Sequence, residues 1–202
     1  MEHTSLSIEA SPLRLPLILR SAGPVSDDAL YEFCRANPDL RIERTAEGEI
    51  LIMSPTGGET GRRNFVLIGQ FWAWARVDGT GVGFDSSTGF ILPNGAERSP
   101  DVAWVRNERW QALAPAERDR FVKLCPDFVA ELRSPSDDLA ILQAKVADYM
   151  ACGGQLAWLL DPTTRSVHVY RPGAEAEILA DPVSVSGDPI LPGFVLALDE
   201  LW

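Results

Sequence analysis

Two acidic residues stand where acids are costly. Glu131 lies inside the apolar run F-V-A-E-L at 128–132, and Asp101 opens the run V-A-W-V at 102–105 directly after Pro100. A carboxylate in the middle of a short apolar strand is expensive to bury without a partner. Strand alternation over 128–133 puts Val129, Glu131 and Arg133 on one face, with Phe128, Ala130 and Leu132 on the other. One reading is structural: Glu131 and Arg133 form an ion pair at the sheet end, and Asp101 caps a turn. The other is chemical. Asp101, Glu131 and the backbone carbonyl of Leu132, meeting at the ends of adjacent strands, would form a hard oxygen site suited to Mg2+, with Mn2+ as substitute. Such an ion acidifies a water and neutralises a phosphate, and Arg133 would steady the charge on that phosphate.

The basic residues are 16 Arg and only two Lys, Lys123 and Lys145. Only lysine readily loses its proton when buried. Lys145 and Tyr149 lie four residues apart, on one flank of a helix whose core stripe is expected to be Leu139, Leu142, Val146 and Met150. A flank lysine commonly snorkels to solvent. This helix, however, begins only a few residues after Glu131, so Lys145 could point back over the acids. Gln143, on the opposite flank, is a weaker candidate. Glu59 opens an earlier helix, either as a partner of the helix dipole or as a third carboxylate reaching the metal through a water. Arg62 and Arg63 follow it, as plain surface or as contacts to a phosphate backbone. Asp85 reads as a turn residue, and His3 and His168 are isolated.

The elements that must position these groups can be read in order. Residues 1–24 form an arm rich in Pro, Ser and Leu, and 25–202 form one domain. Ser26-Asp27-Asp28 caps a short helix, 29–36. The runs 40–44 and 49–53 flank Ala46-Glu47-Gly48 as a hairpin. A long helix from Glu59 to about Arg76 is expected to present Phe65, Ile68, Phe71, Trp72 and Ala75 as one apolar face. Strands follow at 81–85, 89–92, 101–105 and 128–133. A helix from 137 to about 152, closed by Gly153-Gly154, leads to the wholly apolar strand 156–160. That order implies a parallel crossover from 128–133 to 156–160 and a mixed α/β fold, with helices covering a central sheet. Weaker strands at 166–170 and 176–179 follow.

Several short stretches together resemble one family. P-D-V-A-W-V at 100–105, F-V-A-E-L-R-S-P-S-D at 128–137, K-x-x-x-Y at 145–149 and L-A-W-L-L-D-P at 156–162 are similar to the Uma-type family of restriction-endonuclease-like proteins, within the PD-(D/E)XK nuclease superfamily. M-S-P-T-G-G-E-T-G at 53–61 and F-D-S-S-T-G-F-I-L-P-N-G at 84–95 extend the resemblance over 25–202. It implies a restriction-endonuclease-like core: a central mixed β-sheet flanked by helices, with an extra N-terminal hairpin and C-terminal strands. It also implies Asp101 as the motif aspartate and Glu131 as the glutamate of the second half. The sequence departs at the last motif position, where Arg133 replaces lysine. Arginine cannot serve as a base, although it can stabilise a pentacovalent phosphate. Lys145 could occupy the missing lysine's place in space.

The expected activity is therefore Mg2+-dependent hydrolysis of phosphodiester bonds in nucleic acid, with DNA as the expected substrate. The alternative is a nuclease-fold binding or assembly module that has lost catalysis, favoured by Arg133 and a net charge of −11. That charge argues against non-specific phosphate binding. A third reading, an oligomer-forming protein, rests on six tryptophans and Leu201-Trp202; exposed aromatics would mark an interface. A homodimer is expected on symmetry grounds. No run is apolar enough to cross a bilayer, and Met1–Arg20 lacks the pattern of a secretory signal. Three cysteines without close spacing fit a reducing cytoplasm.

Overall fold

Strand and turn signals distribute short strands around two long helices. The computed structural model describes residues 17–21 and 23–202. It begins with β1 (Leu17–Leu19), α1 (Asp27–Ala36), β2 (Arg41–Arg44), β3 (Ile50–Met53) and α2 (Gly58–Asp78). Then come β4 (Gly81–Asp85), β5 (Phe90–Ile91), β6 (Glu97–Arg98), β7 (Val102–Arg106), α3 (Asn107–Ala112) and α4 (Pro115–Arg118). The last part is β8 (Phe128–Leu132), α5 (Leu139–Ala151), β9 (Leu156–Asp161), β10 (Ser166–Tyr170), β11 (Glu177–Ala180), β12 (Ser184–Ser186) and β13 (Val195–Ala197). Of the expected N-terminal arm, residues 1–16, with His3, lie outside the described residues; Leu17–Leu19 pairs with β3 as an edge strand.

The central sheet runs β11-β10-β9-β8-β7-β4 and is mixed: β8 and β9 are parallel, joined through α5, and every other pair is antiparallel. One face carries Phe128, Ala130, Leu132, Trp158 and Leu160 beneath α2 and the C-terminal residues Leu191, Phe194 and Leu201. The other carries Ala103, Val105, Val129, Ala157 and Leu159 beneath Val146 and Tyr149 of α5 and beneath Phe90 and Leu92. Burial on both faces explains the uninterrupted apolar run of β9. A second sheet, β1-β3-β2-β6-β5, contains the expected hairpin β2–β3. No helix among the described residues is long and apolar enough to cross a membrane.

Three expectations change. β6, β12 and β13 are too short to show a period in the sequence. In α2, Leu67 and Phe71 are buried, but Phe65 and Trp72 face outward instead of joining one apolar face. Apolar residues occur on several sides of this helix, so their spacing could not choose between faces. In α5, Lys145, Val146 and Tyr149 are the buried residues, while Leu142 and Met150 are only half-buried, so the inward face is rotated onto the lysine.

The second sheet holds an unusual buried acid. Glu97 on β6 is fully buried, and neither carboxylate oxygen has a hydrogen-bond partner among the described residues. Burial, aided by the nearby charge of Glu43, pushes its carboxyl up to about 8. A carboxyl whose folded-state value is raised binds a proton that the unfolded chain has released, so stability falls as pH rises. The window runs from the ordinary value of 4.5 to about 8. Glu97→Gln should therefore leave stability unchanged below that window. Within it, the variant should gain on the wild type by about 1.4 kcal/mol per pH unit at most. Urea denaturation of both proteins from acid to alkaline pH checks this.

Candidate active site

The antiparallel register pairs Val102 with Ala130. One step further sets Asp101 opposite Glu131, and two steps set Pro100 opposite Leu132. Proline has no N–H to give, so the ladder cannot continue there. The carboxylate of Asp101 takes over instead: its Oδ2 accepts the Leu132 N–H at 2.8 Å. In a strand, a residue's N–H and C=O leave on the same side, so the Leu132 carbonyl also faces the Asp101 edge. The Pro-Asp pair thus ends the sheet and turns two acids and a main-chain oxygen toward one place.

Lys145 supplies the cation. Its Nζ lies 2.8 Å from Glu131 Oε1 and 2.8 Å from Glu43 Oε1, and it also donates to the Ser99 carbonyl at 3.4 Å. Tyr149 donates its hydroxyl to Glu131 Oε1 at 3.2 Å. Four residues apart on α5, Lys145 and Tyr149 share a helix face and meet the same carboxylate. Glu43 comes from β2 in the second sheet. It accepts the Ser99 N–H at 3.2 Å, and its other oxygen lies 3.4 Å from Arg98, which also bonds Asp148 of α5 at 2.7 Å. Beside Asp101 lie Arg41 at 3.6 Å and the Asn64 side-chain amide at 3.4 Å.

The other sequence candidates lie elsewhere. Arg133 turns to the end of β9, where its Nη1 pairs with the buried Asp161 at 2.8 Å and its Nε donates to the Asp137 carbonyl. The Glu131–Arg133 ion pair of the structural reading is thus not formed; each has a different partner. Glu59 sits on the exposed first turn of α2, paired with Arg62 at 2.7 Å and Arg63 at 3.5 Å, without contact to Asp101 or Glu131. Gln143 is half-buried outside this network. His168 is buried on β10, and Asp85 bonds Ser87 as a turn residue. Sequence reasoning missed Glu43, Arg41, Arg98 and Asn64. The only signal was R-I-E-R at 41–44, a density of charge at odds with a buried hairpin strand.

Charge explains the strain in the group. Three cations, Arg41, Arg98 and Lys145, face four acids, Glu43, Asp101, Glu131 and Asp148. Burial raises Glu131, the charges of Asp101 and Glu43 add to this, and Lys145 only partly offsets them, leaving its carboxyl at about 7. For Glu43, burial is outweighed by Lys145 and Arg98, which hold its carboxyl below the usual range. Burial alone would lower Lys145, but Glu131 and Glu43 more than offset it and raise the ammonium above its ordinary value. One unbalanced negative charge fits an added cation. So does the buried Asn64 Oδ1, which has no partner among the described residues. Asp101, Glu131 and the Leu132 carbonyl offer only hard oxygens, the chemistry of magnesium. With no cluster of three candidate side-chain ligands among the described residues, a bound ion would keep several waters, as magnesium does. Removing Lys145 would leave Glu43 and Glu131 buried without their shared ammonium. Lys145→Met should cost about 3–5 kcal/mol in urea denaturation at neutral pH, whereas Arg62→Ala, at an exposed pair, should cost under about 1 kcal/mol.

The comparisons with known proteins agree with this architecture. No curated protein matches the sequence. Among solved structures, the chain is similar to one described as a "putative nuclease belonging to DUF820" from Anabaena variabilis, with a TM-score of 0.67 and 20% identity, covering 79% of this chain and 88% of that one. At that identity the likeness shows the fold: a nuclease-type mixed sheet flanked by helices. The Uma2 family model, described as "Putative restriction endonuclease", matches residues 27–199 and so spans β2 through β13 with every residue of the acidic group. The chain belongs to the Uma2 family.

Proposed function

We propose that the chain hydrolyses phosphodiester bonds in nucleic acid, with DNA as the substrate and Mg2+ as the cofactor. The observation that carries this reading is the meeting of Asp101 and Glu131 at the point where Pro100 ends the ladder, with Lys145 held on Glu131. Asp101, Glu131 and the Leu132 carbonyl would hold the ion. When bound, magnesium supplies positive charge against the scissile phosphate and acidifies a water.

The protein's own groups divide the remaining work. Lys145 is held protonated by its two acids, so it acts as a fixed cation: its three N–H groups face Glu131, Glu43 and the Ser99 carbonyl, and it orients the Glu131 carboxylate and places positive charge near the phosphate. Tyr149 fixes the same carboxylate from the next turn of the helix. Arg41 is about a third exposed beside Asp101. Its guanidinium would therefore add positive charge on the open side of the acids, where a phosphate oxygen could meet it. Arg133 is occupied by Asp161 and contributes at most long-range charge.

A second reading is favoured by that same occupied guanidinium and by the net charge of −11: a nuclease-fold module that binds or assembles without cutting. Purified protein is expected to nick DNA with Mg2+ or Mn2+ but not with EDTA. Asp101→Asn should lose cleavage by at least about a hundredfold, as expected for loss of a group that stabilises developing charge. The variant should also lose any rise in melting temperature that Mg2+ gives the wild type, since a ligand of the folded state must stabilise it. A wild type that neither cuts single- or double-stranded DNA nor is stabilised by Mg2+ would support the inactive module.

A further inference from the structure

The run of α2 delivers Asn64 to the acidic group. Phe71 stacks on Phe128 at the start of β8, with ring centroids 5.9 Å apart. Seven residues earlier, about 10.5 Å along the helix axis, the Asn64 amide reaches Asp101, which accepts the Leu132 N–H at the other end of β8. The helix therefore runs antiparallel to that strand, and its second turn closes over the strand ends. The two ends of the amide are unlike in their surroundings. Nδ2 donates to Asp101 Oδ1 at 3.4 Å, whereas Oδ1 is buried and has no partner among the described residues. Turning the amide over would set a carbonyl oxygen against a carboxylate, so the network fixes which end is which.

We propose that Asn64 is a positioning residue: with Nδ2 on Asp101, its Oδ1 accepts a hydrogen bond from a water beside the acids and directs that water at the phosphate. This role rests on the ion site and the hydrolysis proposed above. A water is the donor that fits. Lys145 already faces three acceptors, and a phosphodiester oxygen has no hydrogen to give. Magnesium held by few protein ligands keeps several waters. The two ends of an amide lie about 2.2 Å apart, so Oδ1 is within about 6 Å of Asp101 Oδ1. One water spans such a gap with two hydrogen bonds of about 2.8 Å each. Other acceptors nearby are engaged: Asp101 Oδ2 by the Leu132 N–H, and Glu131 Oε1 by Lys145 and Tyr149. An amide oxygen is too weak a base to take the water's proton, so Asn64 contributes direction alone. In the metal-free protein a buried acceptor without a donor lowers stability, which separates this role from simple bracing of Asp101.

Mn2+ titration of the full chain, read from the electron-paramagnetic signal of the free ion, measures affinity without substrate or turnover. Asn64→Leu, of similar size but without polar atoms, should weaken binding about 10–100-fold, the usual effect of removing a group that orients a metal's ligands. The same variant without metal should melt no lower than the wild type, because its orphaned acceptor is gone. Asn64→Asp keeps an oxygen at the position and gives up the N–H, and should bind Mn2+ at least as well as the wild type. At saturating Mn2+, Asn64→Leu should cut DNA with a lower kcat and an unchanged KM. If Asn64 only braced Asp101, metal-free Asn64→Leu would melt lower and Asn64→Asp would bind Mn2+ more weakly; either result overturns the proposal. Unchanged Mn2+ affinity in Asn64→Leu, where Asp101→Asn abolishes it, overturns this role and leaves the ion site standing. A wild type that binds no Mn2+ overturns both.

Discussion

One ammonium group holds the centre of this molecule together. Lys145 touches Glu131 of the central sheet and Glu43 of the second sheet at the same distance, 2.8 Å. Without it Glu131 would be a buried charge with no ion-pair partner among the described residues, and Glu43 would keep only Arg98. The lysine joins them into a unit and fastens the second sheet over α5. Arg98 repeats the arrangement on a smaller scale by bridging Glu43 and Asp148. The second sheet is thus held against the central sheet and α5 by ion pairs as well as by apolar packing.

The same interaction limits what the chemistry can be. A lysine between two acids keeps its proton, so its contribution is charge and direction rather than basicity. The acids share too little positive charge, and Glu131, furthest from balance, carries the raised carboxyl. This chain, a member of the Uma2 family over residues 27–199, carries Arg133 where the nuclease motif it resembles has lysine. In this chain that guanidinium serves the end of β9 instead.

Much of this was legible in the sequence because it was local. The alternation of F-V-A-E-L-R put Glu131 on the α5 face, and the helix between two apolar strands implied the parallel pair β8–β9. Pro100-Asp101 before a strand identified the other acid. What could not be read depended on distant partners. Glu43 looks like any polar residue of an edge hairpin until α5 is laid across it. In α5, leucine and methionine seemed the natural inward residues, but the acids of two sheets drew Lys145 and Tyr149 inward. In α2, apolar residues on several sides hid which side was the core, and two of the aromatics, Phe65 and Trp72, stayed exposed.

Glu43 and Lys145 are separated by 102 positions in the chain. A polypeptide emerging from its N-terminus therefore exposes Glu43, and later Asp101, long before α5 exists to neutralise and orient them. Contacts between such remote positions form late, because the chain between them must first be drawn together. The acidic group can consequently take its folded shape only once synthesis has passed α5, so an unfinished chain would hold its acids unpaired and apart.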